Sequence, residues 1–440
     1  MSCQTKKPLA VATSLLIAIA AMPAMASDAD KIRALELRLE ALQKELNELK
    51  SAVKQKQQFK FSKSSPAPEL VSSDGQSALE FKARFQADYV DADEMLTGKD
   101  ASYTPAEKDT SIRRFRLGLE GKFAKEWEYE LEVDFSDDEV EVKDANIAFK
   151  GWDDQILSLG FQKYAFGLSN TQSSAHQIMM ERASVDTFAP DRALGLQWRY
   201  LGENWTFSTG VGLDYSEIEE DDTSSYEETR FITNRLTYAP INEKSSLVHL
   251  GTSYMMLDLG RDNKELRYRA RPGSKPTNRM VETEKFASDG SDNFGVEGIL
   301  KHQNLLFLAE YMLSSADKLE GGSVDVDAYN LTASYVLTGE QWRYSSKKGS
   351  MKSPRPEKSL SEGGWGAWEV AIRYDKANFL EDELTYGGDL TTLILGTNWY
   401  LEDNLKLQFN YIDAEATNKV DAEYIDQDTK IWQTRLHFGF

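Results

Sequence analysis

The chain is 440 residues long, 40% hydrophobic, with 72 acidic against 51 basic side chains and a formal net charge of -21. So acidic a chain, without a broad basic surface, excludes ordinary nucleic-acid binding. Beyond the N-terminus no run is long and apolar enough for a membrane-spanning helix. The low mean hydropathy still admits a transmembrane barrel, which turns apolar side chains outward only at alternate positions.

Lys6 and Lys7 precede an apolar run over 9–21, and Ala24-Met25-Ala26 supplies the small residues of a cleavage site. Residues 1–26 therefore read as a secretory signal peptide. The only cysteine, Cys3, lies ahead of the apolar run, so the exported chain is expected to fold without disulfides. Residues 27–56 change character. Ile32, Leu39, Leu46 and Val53 repeat every seven residues, with Leu35, Leu42 and Leu49 between them. These are the two core positions of a coiled coil, and the narrow seam favours self-association over a single amphipathic helix. Residues 57–76, rich in Ser, Pro and Lys, read as a linker.

From residue 77 the period becomes two. Leu79, Phe81, Ala83, Phe85, Ala87 and Tyr89 share one face; Glu80, Lys82, Arg84, Gln86 and Asp88 share the other. Phe115, Leu117, Leu119 and Phe123 likewise oppose Arg114, Arg116, Glu120 and Lys122. Trp127, Tyr129, Leu131, Val133 and Phe135 oppose Glu128, Glu130, Glu132 and Asp134. Four carboxylates in a row cannot face lipid, so that face is wet. The same alternation closes the chain: Trp432, Thr434, Leu436, Phe438 and Phe440 lie opposite Gln433, Arg435 and His437.

Connections alternate in length. Those at 124–126, 151–154, 201–204 and 401–404 are short, while 91–111, 165–192, 215–228, 259–292 and 415–428 read as long. Aromatics gather at the short ones, as in the interfacial girdle of a membrane barrel. The pattern predicts an all-β fold, a transmembrane antiparallel barrel of about sixteen strands over 77–440, preceded by the helical coiled-coil segment. Two stretches fit poorly: 338–365 is long for the short-turn side, and 229–239 alternates weakly. A large soluble sandwich or adhesin is the competing architecture. It does not account for the leader, the aromatic terminus and the girdle together.

Several stretches, in this order and spacing, resemble the phosphate-selective porin O/P family. They are Arg113-Arg114-Phe115-Arg116-Leu117-Gly118, Met180-Glu181-Arg182 and Arg267-Tyr268-Arg269-Ala270-Arg271-Pro272. Leu337-Thr338-Gly339-Glu340, Trp368-Glu369-Val370-Ala371-Ile372-Arg373-Tyr374 and Asn398-Trp399-Tyr400 complete the set. The resemblance implies a trimeric outer-membrane channel for phosphate or related anions, with loops folded into the lumen and a line of arginines along the path. Arg84, Arg113 and Arg114 match positions of that line.

Ion preference in a porin follows the charges lining its narrow part. The loop at 165–192 carries Met179, Met180, Phe188 and Pro190, more apolar than a solvated loop needs, and is expected inside the barrel. The long loop at 259–292 holds Arg261, Lys264, Arg267, Arg269, Arg271, Lys275 and Arg279 against Asp262 and Glu265. Arg267, Arg269 and Arg271 alternate, so in an extended segment all three point one way. Guanidinium groups bind phosphate bidentately and keep their charge. The competing reading is a solvated loop that meets lipopolysaccharide phosphates. Arg113 and Arg114 are adjacent, so only one is expected to face the lumen within a regular strand. Glu128, Glu130, Glu132 and Asp134 either pair with arginines or form a cation-preferring zone, which leaves a general or cation-preferring porin as the alternative. The four histidines, His176, His249, His302 and His437, lack metal-ligand spacing, and no cofactor or enzyme motif is present. The expected setting is the outer membrane, with lipid and lipopolysaccharide around the barrel, the N-terminal segment in the periplasm and a homotrimeric assembly.

Overall fold

The computed structural model describes residues 28–54, 58–62, 65–97, 102–104, 107–136, 139–218, 225–260, 264–420 and 423–440. The leader expected at 1–26 lies outside the described residues. Helix α1, Asp28–Lys54, forms with its immediate flank a unit of its own. Ala, Leu, Glu, Lys, Gln and Arg, all strong helix formers, make up most of it. In the single chain its seam is uncovered: Ile32, Leu35, Leu39, Leu42 and Leu46 are each at least half exposed.

Sixteen strands follow the N-terminal segment. They are β1 (Ala78–Ala92), β2 (Glu107–Phe123), β3 (Trp127–Asp134), β4 (Glu141–Phe149), β5 (Gln155–Gln162), β6 (Ala193–Leu201), β7 (Trp205–Ile218) and β8 (Ser225–Asn242). The second half comprises β9 (Ser246–Leu259), β10 (Gly290–His302), β11 (Leu305–Asp317), β12 (Ser323–Val336), β13 (Ala367–Asn378), β14 (Tyr386–Glu402), β15 (Leu405–Val420) and β16 (Glu423–Gly439). Each pairs antiparallel with its neighbours in sequence, and β16 returns to β1, from Ile431 opposite Ala92 to Gly439 opposite Arg84. Phe440 adds two backbone bonds to Ala83, 3.1 and 2.9 Å. The barrel is closed, as expected.

The alternation has its anticipated consequence. On β12 Asn330, Thr332 and Ser334 are buried towards the interior while Leu331 and Tyr335 are exposed outside. Short turns mark one rim, the turn end, where Phe123 stacks on Trp127 at 5.9 Å, Tyr200 on Trp205 at 5.0 Å and Trp368 on Trp399 at 4.9 Å.

The structure corrects several boundaries. The linker region 57–76 instead carries a hairpin, Gln58–Ser62 with Ser65–Val71, whose second strand pairs with the foot of β1. The long loops expected at 215–228 and 415–428 are mostly strand: β7 and β8 pair out to Ile218–Ser225, and β15 and β16 to Val420–Glu423. Polar residues on both faces end the lipid band but not a ladder standing in water. The weakly alternating 229–239 belongs to β8. Its inward Phe231 meets Tyr164 edge-on at 4.9 Å, so an apolar residue faces the interior.

The interior is filled by three segments. L3 (residues 163–192) and L5 (260–289) enter from the loop end. The long turn T6 (337–366) enters from the other. L3 buries Tyr164, Phe166, Ile178, Met179, Met180 and Val185 against the wall. Glycine at inward positions makes room: a Cβ on Gly396 would lie 2.8 Å from Met179 Sδ, and one on Gly210 2.7 Å from Tyr164 Cδ1. T6 resolves the puzzle of 338–365. Trp342 donates to Glu369 at 3.0 Å, Arg235 donates to the carbonyls of Lys348 and Gly349, and His249 bonds the Tyr344 hydroxyl at 2.7 Å. Its length therefore serves the lumen.

Candidate functional site

β2 supplies the first cations through a defect in its ladder. Gln86 opposes Arg114 and Ala87 opposes Ile112, so Arg113 is an extra, unpaired residue. A bulge of this kind re-aims a side chain. Arg113 and Arg114 both turn inward, which a regular strand forbids. The expectation that only one would do so is thus overturned by the bulge.

The two have different partners. Arg113 holds Glu181 of L3 with two parallel bonds, 2.9 and 3.0 Å. Arg435 of β16 reaches the same carboxylate at 2.6 Å and clamps Asp88 of β1 at 2.7 and 2.6 Å. It also donates to the Met180 carbonyl, and Arg373 donates to the Glu181 carbonyl at 2.9 Å. Burial alone would raise the pKa of Glu181, but Arg113, Arg435 and Arg114 outweigh it and hold the carboxyl well below its usual range. Arg114 instead donates to Gln86 at 2.6 Å, and its buried Nε has no partner. Gln86 in turn donates to His437 Nδ1 at 2.8 Å, and Arg84 donates to Ser174 of L3 at 3.0 Å.

L3 is tied on every side. Glu310 accepts from the Leu168 and Ser169 amides, and Asp375 accepts from the Ser184 amide at 3.0 Å. Asn398 and Gln408 donate to the Ile178 carbonyl. These ties draw L3 towards β9–β16. A cavity of about 640 Å³ remains between L3, the tip of T6 and the wall of β1–β6. Eleven lysines and arginines line it against seven carboxylates.

Glu128, Glu130 and Glu132 of the acidic row face this space, and every member of the row is paired. Lys150 meets Glu128, Lys82 meets Glu130, and Arg116 bridges Glu132 at 2.9 Å and Asp134 at 2.7 Å. Asp144 pairs with Arg192 at 3.1 Å. Arg84, Arg114, Lys163, Arg199 and Lys348 also line the cavity, and among the described residues none has a carboxylate within ion-pair distance. The lining carries excess positive charge, eleven basic side chains to seven acidic ones.

L5 places Arg267, Arg269 and Arg271 as their alternation implies, partly exposed beside buried Tyr268, Ala270 and Pro272. Thr187 of L3 donates to the Arg269 carbonyl, and Gln433 of β16 donates to the Gly273 carbonyl, so L5 lies inside the barrel. Glu282 stands 3.7 Å from Arg267, and Arg271 donates to the Thr277 carbonyl. Arg279 joins the group: burial, then Arg269, Arg271 and Arg267, push its guanidinium down to about 10. Burial and the Arg113 charge likewise lower Arg271, which connects the L5 row to the Glu181 cluster. Arg261 lies outside the described residues. Arg116, Lys163, Arg199, Lys348 and Arg435 were not singled out from sequence, although the inward parity of Arg116 and Arg435 was visible there. Among the described residues no group of His, Cys, Asp or Glu is arranged to hold a metal.

A closed sixteen-stranded barrel whose interior loops leave a polar, net cationic lumen defines a porin. The chain belongs to the family described as phosphate-selective porin O and P, whose model matches residues 79–440. It is similar to Porin O of Pseudomonas aeruginosa, 25% identical over 84% of this chain and 90% of that one. An uncharacterized protein of Caulobacter vibrioides is 27% identical over 78% of this chain and 70% of its own length. Among solved structures, the fold is like the anion-selective porin from Comamonas acidovorans, with TM-score 0.50, 12% identity, 83% of this chain and all of that one. It is also like the outer membrane channel DcaP of Acinetobacter baumannii, with TM-score 0.51, 9% identity and 83% and 97% coverage.

The pairing of the acidic row has a measurable consequence. Glu132→Gln releases part of the Arg116 charge into the lumen. The anion-over-cation permeability ratio in planar bilayers should rise about two- to threefold, since one fixed charge acts within a Debye length of about 8 Å. A fall in that ratio would mean the row sets the field itself.

Proposed function

We propose that the protein is a passive outer-membrane channel for small anions, with phosphate as the preferred class. The observation that carries this reading is the imbalance inside the barrel: the carboxylates of the acidic row are paired, while Arg84, Arg114 and Lys163 have no acid partner among the described residues. Arg267, Arg269, Arg271 and Arg279 continue the positive line towards the loop end. An anion meets several shallow guanidinium sites in succession, each strong enough to draw it in and weak enough to release it. Phosphate gains more than chloride, because a planar fork matches two of its oxygens at once. Binding, orientation and release suffice, and no bond is made or broken. The acidic row, each member ion-paired, argues against a cation-preferring porin. The exposed apolar band meets lipid, and lipopolysaccharide surrounds the loop end.

Arg267, Arg269 and Arg271 supply the test. Phosphate should inhibit chloride current through the unmodified channel. The triple change to Ala should raise the half-inhibiting concentration about tenfold or more, since hydrogen bonds to charged groups contribute about 1.5–3 kcal/mol each. Equal inhibition before and after would remove L5 from the path. An absence of phosphate inhibition in the unmodified channel would remove phosphate from the function.

The uncovered seam of α1 supports a second part of the proposal: three copies associate through this helix on the periplasmic side of the barrel. Deleting 28–55 should lower the temperature at which the trimer separates in unheated gels. An unchanged oligomer would assign the helix to another partner.

A further inference from the structure

We propose that Glu181 is the positioning residue of the channel's narrow part, and that Arg113 serves Glu181 and not the passing ion. The inference rests on the porin reading but concerns how the path is built.

Asp88, Arg435, Glu181 and Arg113 form one chain of alternating charge across β1, β16, L3 and β2. Two carboxylates meet two guanidiniums, so the chain is neutral within itself. Elsewhere the wall grips L3 mainly by its backbone, through Glu310, Asp375, Asn398 and Gln408. Arg192 pairs with Asp144 at the loop's end, and towards β2 and β16 the loop reaches out with the Glu181 carboxylate. The other L3 carboxylate in this stretch, Asp186, pairs within the loop with Arg182. Glu181 is therefore the point where L3 fixes its distance from β2 and β16. A charge-assisted, bidentate contact defines that distance more narrowly than a neutral bond does.

The same geometry divides the adjacent arginines. Arg114 lines the 640 Å³ cavity, with an unpartnered Nε; Arg84 lines it too. Arg113, Arg435 and Glu181 do not line it. Both nitrogens that form the edge of the Arg113 fork are occupied by Glu181. The bulge thus yields two inward arginines with separate tasks: Arg113 holds the loop, and Arg114 faces the ion.

The experiment compares three single substitutions in the full-length channel by planar-bilayer recording. Glu181→Gln keeps the shape of the side chain and removes its charge. Open-channel current noise should rise several-fold as L3 loses its fixed distance, while Glu181→Asp, which keeps the charge, should stay close to the unmodified trace. Arg113→Gln should raise the noise by less than Glu181→Gln, because Arg435 still holds the carboxylate, and change the half-inhibiting phosphate concentration less than about twofold. Arg114→Gln should leave the noise unchanged and raise that concentration about fivefold or more, as the loss of one charged contact implies. Equal weakening of phosphate inhibition by Arg113→Gln and Arg114→Gln would overturn the division, and a quiet Glu181→Gln channel would overturn the positioning role. Should Glu181→Gln fail to fold, the Arg113→Gln and Arg114→Gln pair still decides, since Arg435 continues to hold Glu181 in Arg113→Gln. Where phosphate inhibits no variant, including the unmodified channel, the phosphate reading fails by itself, and the noise comparison still tests the latch.

Discussion

A chain crossing hydrocarbon must satisfy every backbone N–H and C=O from within, since no water is available to do so. Here that constraint is met by pairing β16 with β1, which removes the two edges an open sheet would expose to lipid. The rest of the architecture depends on that closure. Once the sheet is a barrel, each strand has one face to lipid and one to the interior, and the alternation from Leu79 to Phe440 is the sequence's answer. Sixteen strands enclose more space than side chains alone can fill. The chain fills part of it with its own loops. L3, L5 and T6 bring apolar residues such as Met179, Val281 and Trp342 to inward glycines, Ile394 and Ile412, and so build a core inside a membrane protein.

Charge is sorted by the same interior. Buried charges persist only when paired and hydrogen-bonded. Where L3 and T6 pack on the wall that rule produces the fully bonded network of Arg435, Asp88, Glu181 and Arg113, and a second one of Arg235, His249 and Glu297 beneath T6. Beside β1–β6, where space remains, cations line an open cavity and tolerate the absence of a partner. The acidic row lies on that open side yet is met, residue by residue, by Lys150, Lys82 and Arg116. A chain with a net charge of -21 thus carries a cationic passage.

Much of this was legible from residue order. The period of two, the aromatic turns and the alternating connections specify a barrel of sixteen strands because each follows from the lipid boundary itself. That Arg267, Arg269 and Arg271 share one side of L5 followed from their parity. What escaped were features that depend on a distant partner. The bulge at Arg113 leaves no mark in composition, because the two-against-one register is set by β1. Phe231 breaks the alternation of β8 only because Tyr164 arrives from L3. The length of 337–366 made no sense as an exposed turn and becomes intelligible once Trp342 finds Glu369. Glu181 sat in a recognised triplet, but its importance lies in Arg435, some 254 positions away in the chain.

The central claim is that fixed positive charge lines the open path through this barrel. The measurement that tests it most directly is the reversal potential of the unmodified, full-length channel in a planar bilayer under a salt gradient. The account predicts the sign of an anion-preferring pore, more pronounced at low ionic strength where screening is weak. A reversal potential of the opposite sign would contradict it, leaving the barrel in place and its arginines outside the conducting path.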